Sequence, residues 1–329
     1  KKEFNKISGS IKQGGLTIIP LSLYFSDKGF AKLSCGIAKG KKKIDKRESI
    51  KQRDWNIKKQ RLLKKNGLVI ETSDETVKLN PPTVTKESLN SEVDLVVLTP
   101  KSYDFAEAIE VVQNVQGKPF LLPFLNGIDH LHQMDLLFGK ERVMAGAAYV
   151  STTLTADGAV QQLRDDPSFV FGARHKSQRN VAEKLHNLCD KSAFKSILSL
   201  QIEQALWDKW AVLATLAGMT TLMRASMGEI TNCRFGVEAT TKMYDECCGV
   251  AEKSGYPISA DATDRALSVL LEKGSKLTAS MLRDLELNQK TEYEHILGSM
   301  VDYAKSVGAP CTSLVLSHTQ MDIRDKEIN

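Results

Sequence analysis

Apolar residues in the first two-thirds of the chain come in short runs broken by turn residues. Asp94-Leu-Val-Val-Leu98 is apolar, rich in valine and stopped by Thr99-Pro100, which predicts a buried parallel strand. Tyr103–Val115 has helical spacing. Pro119–Leu125 is a second apolar run, ending at the turn signal Asn126-Gly127, and Met144–Val150 is a third. A turn at Asp157-Gly158, a strand at Ser168–Phe171, a helix over Asn180–Leu188 and a last strand within Phe194–Leu200 continue the alternation. From Gln201 the spacing is helical nearly throughout: Glu203–Leu222, Arg234–Ser254, Ala260–Lys273 and Leu287–Val307. Breaks fall at Gly255-Tyr-Pro257, Lys273-Gly274 and Gly308-Ala-Pro310. The expected plan is an α/β domain with a parallel sheet over 1–200, followed by an all-α domain over 201–329.

The first 66 residues fit this plan badly. They offer one strand, Leu16–Leu21, and one helix-like piece, Phe30–Ala38, before a basic stretch, Lys39–Lys65. Charge marks the same break. Residues 1–66 hold 19 Lys and Arg against 5 Asp and Glu, whereas 67–329 hold 26 against 35. The overall net charge of +5 therefore says little about partners. Apart from Trp55 the basic stretch lacks interleaved aromatics, so a solvated segment and no nucleic-acid partner are expected.

Hydrophobic residues make up 42% of the 329, enough for a sizeable core. No apolar run approaches the ~18 residues of a membrane helix, so no membrane partner is expected. Lys1–Gly15 has no apolar segment of the secretory kind. The six cysteines, at 35, 189, 233, 247, 248 and 311, form no C-x-x-C pair, which suits reduced thiols in a cytoplasmic protein. His130 and His132 have no third ligand nearby, and no metal is expected.

Five pieces in order carry a resemblance. They are Lys65-Asn-Gly-Leu-Val-Ile-Glu71, Val97-Leu-Thr-Pro-Lys101 with Asp104, Leu125-Asn126-Gly127-Ile128, Trp207-Asp-Lys209, and Ser280-Met-Leu-Arg-Asp284 with Thr291-Glu292. From about Asn66 to the end the chain resembles the ketopantoate reductase (2-dehydropantoate 2-reductase) family. The resemblance implies a Rossmann-like amino-terminal domain, a helical carboxy-terminal domain and a cleft between them. It implies NADPH as cofactor and reduction of a 2-oxo acid, 2-dehydropantoate, on the route to pantothenate. Lys209 would be the proton donor. Asn126 and Ser280 would contact substrate, and Lys101, Asn126 and Glu292 would lie by the cofactor. Glu292 is also the expected carboxylate partner of Lys209. A homodimer is left open.

The chemistry agrees with the residue types. A ketone gaining hydride builds negative charge on oxygen, and an ammonium within reach stabilises that charge and delivers the proton. Lysine suits the role because burial lowers its pKa toward neutrality. Lys209 sits amid Leu206, Trp207, Trp210, Ala211, Val212 and Leu213.

Two features depart from the family. Asparagines expected four and eight residues after the lysine, and another before a Gly-Glu pair, are replaced by Leu213, Ala217 and Met227. A relative acting on a more apolar 2-oxo acid is the alternative, since a site without polar partners loses its preference for a hydroxyl. Second, a dinucleotide site needs a strand running into G-x-G-x-x-G. Gly9, Gly14 and Gly15 have the wrong spacing. Divergence, a reading-frame shift ending near residue 60, or true loss of the site, which would leave a catalytically inactive binding protein, each account for this. The charge break favours the frame shift. Weak or absent NADPH binding and loose packing over 1–60 are expected.

Overall fold

The structure is a computed structural model that describes residues 67–84, 89, 92–155, 157–190, 192 and 194–328, with the backbone of two strands at 16–25 and 31–39. The chain divides into two compact units, 1–66 with Asn329 and 67–328. In the first, β1 (Leu16–Phe25) and β2 (Ala31–Lys39) pair antiparallel, with the register shifting between Pro20 and Ser22. The strand expected at Leu16–Leu21 is there and is longer. The helix-like reading of Phe30–Ala38 is overturned: Ala31, Leu33, Cys35 and Ile37 occupy every second position, a period that suits a strand. Gly9, Gly14, Gly15 and residues 40–66, with the basic stretch and loose packing expected there, lie outside the described residues.

The second unit opens with an antiparallel pair, β3 (Leu68–Glu71) and β4 (Thr76–Leu79). Then come β5 (Leu95–Leu98), helix α1 (Phe105–Gln113) and β6 (Phe120–Pro123), with β5 and β6 parallel. Helix α2 (Asp129–Phe138) leads to Val143, which bridges Leu121 in parallel, and into β7 (Ala145–Tyr149). Strands β8 (Thr152–Leu154) and β9 (Val160–Gln162) join β3 and β4 in the order β4-β3-β9-β8. Strand β10 (Ser168–Gly172), helix α3 (Arg179–Cys189) and β11 (Lys195–Leu198) follow, giving a sheet ordered β11-β10-β7. The expected strands and helices up to Leu198 are thus present.

From Ile202 every described element is helical. Helix α4 spans Ile202–Met223, α5 Met227–Thr231, α6 Gly236–Lys253 and α7 Ala260–Leu270. Helix α8 spans Ser280–Glu286, α9 Ser299–Val307 and α10 Thr312–Ile328. The continuous helix expected over Leu287–Val307 is corrected. Asn288 takes a left-handed φ of 51°, which ends α8, and the chain regains helical form only in a π turn at Glu294–Gly298. Among the described residues no helix is long and apolar enough to cross a membrane.

One core runs through the helical part, from Trp207 on α4 to Met321 on α10. Glu246 on α6 closes it at one end. Its carboxylate accepts the backbone N–H groups of Ser313 and Leu314, the free donors at the start of α10. Arg174 fastens strands to helices: Nη1 and Nη2 each donate to Asp135 on α2 at 2.7 Å, and Nε donates to Glu203 on α4 at 3.1 Å.

Candidate active site

Helix α4 is held from one side by aromatic packing. Trp207 stacks on Tyr256 with centroids 5.6 Å apart, and Tyr303 meets Trp207 and Trp210 edge-on. Trp210 Nε1 donates to Ile296 O at 3.1 Å, so its buried N–H is satisfied. That packing turns Lys209 toward the strands.

Strands β5, β6 and β7 run in one direction, and their carboxyl ends deliver the other groups. Lys101 follows β5, Asn126 follows β6, and Ala148 and Tyr149 end β7. The crevice beyond strand carboxyl ends is where α/β sheets place ligands. Lys209 Nζ donates to Ala148 O at 2.8 Å and Asn126 Oδ1 at 3.3 Å, and stands 5.2 Å from the Tyr149 ring centroid. Asn126 is aimed by the turn that Gly127 makes at φ 73°, and a Cβ on Gly127 would press on the His295 carbonyl oxygen at 3.2 Å. Burial pushes the Lys209 ammonium down to about 8, against the opposing pull of Glu292. Burial pushes Tyr149 up to about 12.

A second group lies beside it. Lys101 Nζ meets Asp284 Oδ2 at 3.3 Å and Glu292 Oε2 at 3.5 Å, while Glu292 Oε1 accepts the Ser102 N–H at 2.9 Å. Burial alone would lower Lys101, but Glu292 and Asp284 outweigh it and its pKa ends raised. Asp284 is raised as well, first by burial and then by Glu292, because two carboxylates share one ammonium.

Of the expected residues, Lys209 joins Asn126, and Lys101 joins Glu292. The direct partners of Lys209 are Asn126 and Ala148 O; Glu292 is engaged by Lys101 and Ser102. Ser280 opens α8 one turn before Asp284. Ala279 is the N-cap of α8, and Ser280 is its first helical residue. Ala217 and Met227 are wholly buried, and Leu213 packs half-buried against the helical core. Three contributors were not singled out from sequence. Ala148 acts through its backbone and leaves no sequence signal. Tyr149 ends an expected strand. Asp284 belonged to the quoted Ser280–Asp284 motif, which was the available clue.

Family models decide the kinship. The ketopantoate reductase PanE/ApbA model matches residues 54–176, and its carboxy-terminal companion matches 201–320. From residue 54 onward, the chain belongs to the ketopantoate reductase family. This reductase portion is 29% identical over 262 residues to the uncharacterized oxidoreductase YkpB of Bacillus subtilis, covering 79% of this chain and 86% of that protein. The ternary structure of D-mandelate dehydrogenase with NADH and anilino(oxo)acetate is similar in fold, with TM-score 0.73 and 19% identity, covering 82% of this chain and 88% of that one. A PanE/ApbA family ketopantoate reductase from Ralstonia eutropha follows at TM-score 0.72 and 19% identity over the same shares. A dimeric ketopantoate reductase from Staphylococcus aureus has TM-score 0.65 and 17% identity, covering 80% and 88%.

Residues 1–65 match a different model, that of SmpB protein. They are 59% identical over 66 residues to the SsrA-binding protein of a Wolbachia strain from Drosophila simulans, covering 20% of this chain and 44% of that protein. The chain thus spans less than half the length of the SsrA-binding proteins it matches. This overturns the frame-shift account, because a shifted frame would not produce such identity. The charge break near residue 66 is a junction between two families.

The pyrophosphate of a nicotinamide dinucleotide does not fit the groups present. Its binding turn brings backbone N–H groups close through a G-x-G pair after a strand. None of the chain's 21 glycines stands two residues from another. Lys101 and Asn126 at the strand ends, and Lys209 on α4, come together without such a G-x-G pair in the sequence.

Proposed function

We propose that residues 67–328 carry the proton-donating half of a nicotinamide-dependent 2-oxo-acid reductase, with Lys209 as donor. The observation that carries this reading is the Lys209 ammonium, hydrogen-bonded to Asn126 and Ala148 and brought down to about 8 by burial. Reduction of a 2-oxo acid leaves an oxygen that needs a proton. A lysine near pKa 8 holds that proton at neutral pH and gives it up readily. Asn126 orients the ammonium and the substrate oxygen. Ser280 binds the substrate carboxylate, and Lys101 with Glu292 lines the cofactor side, NADPH by family resemblance. Ketopantoate is the family's substrate. An apolar 2-oxo acid is the second reading, favoured by Leu213 and by the anilino(oxo)acetate of the similar D-mandelate dehydrogenase structure. The domain division near residue 200 and a homodimer, as in the Staphylococcus aureus relative, belong to the same proposal.

Calorimetry with ketopantoate and a panel of branched 2-oxo acids tests it. Lys209→Ala should weaken binding of the preferred acid at least about tenfold, the loss of one charge-assisted hydrogen bond. Where turnover is measurable, kcat should fall about a hundredfold. Unchanged binding and rate would remove Lys209 from the site.

For residues 1–65 a separate reading rests on charge. Nineteen basic residues lie among the first 66, and the matching relatives are named SsrA-binding proteins. We propose that this segment binds RNA, replacing the expectation of no nucleic-acid partner. Retention of SsrA RNA that weakens steeply with salt supports it; no retention at low salt removes it.

A further inference from the structure

The Lys209 ammonium has three N–H donors. Two are engaged at the strand ends, where Ala148 O accepts at 2.8 Å and Asn126 Oδ1 at 3.3 Å. Small residues, Ala145-Gly-Ala-Ala148, bring β7 close against the exit of β6, and a Cβ on Gly146 would meet the Phe124 ring at 2.5 Å. The next residue is large. Tyr149 ends β7 with its ring centroid 5.2 Å from Lys209 Nζ, inside the ~6 Å over which a ring face attracts a cation. One strand end thus gives the same ammonium a carbonyl from Ala148 and a ring from Tyr149.

The ring matters because the cation has lost water. Burial is the largest influence on Lys209 and disfavours its charged form. A π face returns part of that loss, and returns more where water is excluded. At 5.2 Å the ring attracts the charge as a whole and takes no hydrogen from it, since N–H donors meet their acceptors near ~3 Å. The third N–H is therefore left for a substrate oxygen. Other charged and titratable groups act on the pair from three sides. Glu292 pulls the ammonium up, His130 on α2 is pushed down by the charge of Lys209, and Asp208 on α4 adds to the burial that holds Tyr149 up at about 12. The phenol is then neutral at working pH and keeps its π face. Tyr149 is also 44% exposed, so its ring stands at the rim of the site and not in the core.

We propose that Tyr149 is a positioning residue for the proton donor. The face of its ring, with the Ala148 carbonyl and the Asn126 amide oxygen, holds the Lys209 ammonium charged and leaves one N–H free for the keto oxygen of a 2-oxo acid. The ring does this work and the hydroxyl does not. The proposal rests on the reading of Lys209 as proton donor.

The test uses the full chain and reads the titration of Lys209 directly. Competitive acetylation with isotopic acetic anhydride from pH 6 to 11, followed by mass spectrometry of the peptide that carries Lys209, gives its midpoint without turnover. Leucine keeps an apolar cover over the ammonium and removes the π face, so Tyr149→Leu should lower the midpoint by about one pH unit, the scale of a desolvated cation–π contact. Calorimetric binding of ketopantoate should lose its high-pH limb over the same interval. Tyr149→Phe should keep the parent's midpoint. Fluorinated phenylalanines placed at 149 hold the ring's shape while draining its face, and should lower the midpoint in steps. A midpoint indifferent to leucine and to fluorination overturns the proposal, even if melting temperature falls. So does a Tyr149→Phe variant as shifted as Tyr149→Leu, which would give the role to the hydroxyl. If the midpoint moves as expected but Lys209→Ala leaves 2-oxo-acid binding unchanged, the ring contact stands and the proton-donor reading falls.

Discussion

The helical and strand halves of residues 67–328 hold themselves together in different ways. The helical half has one continuous core, and the buried Trp210 N–H and Glu246 carboxylate both have partners. The strand half is divided into sheets of two to four strands over two smaller cores, with valines exposed at β5. The difference separates two functions. The proposed proton donor, Lys209, is held by a packed helix and the ends of two strands. A pyrophosphate needs a strand, a glycine turn and a helix as one piece, and no G-x-G pair stands anywhere in the sequence to make that turn.

The strongest way to break the comparison is to open the helical core. Trp210→Ala, at a residue 1% exposed, should cost about 4 kcal/mol in urea unfolding and loosen Lys209 with it. A loss below about 1 kcal/mol would mean that the aromatic cluster is not what holds α4. Arg174→Ala strikes the joint between the halves. It strands the carboxylates of Asp135 and Glu203, and because both are partly solvated about 3 kcal/mol is expected, less than for a sealed pair. Loss of cooperativity between near-ultraviolet and far-ultraviolet melts would show the halves parting. A single coincident transition would argue that other contacts carry the joint.

A smaller effect sharpens the contrast. His130 on α2 is buried, its ring 6.4 Å from that of Phe105 and 5.8 Å from that of His295, and burial, aided by the nearby His295, brings it down to about 3. Below the unfolded value near 6.5 the unfolded chain binds a proton that the folded chain refuses, so stability is lost as pH falls. By pH 5 that amounts to about 2 kcal/mol. His130→Phe, beside Phe105, should flatten the decline. A variant with the parent's pH dependence would assign it to other groups.

Much of this was legible along the chain. Periodicity marked β5, β6, β7, β10 and most of α4, because a buried strand or helix face imposes its period on the residues that fill it. Motif order carried the family, and charge marked the junction at residue 66. Helices α2 and α10 have no counterpart in the expected elements. Asn288 ended α8 through a backbone conformation that composition does not display.

By itself the sequence determined which residue types were available: a lysine in an apolar helix, an Asn-Gly turn after a strand, and no two glycines spaced as G-x-G. Only the tertiary structure decided their partners. Glu292 bonds Lys101 and Ser102, while Lys209 turns to Asn126 and a backbone carbonyl. Such pairings join positions up to 190 residues apart. They depend on where strand ends fall and which side of α4 the indoles take, and no local pattern encodes either.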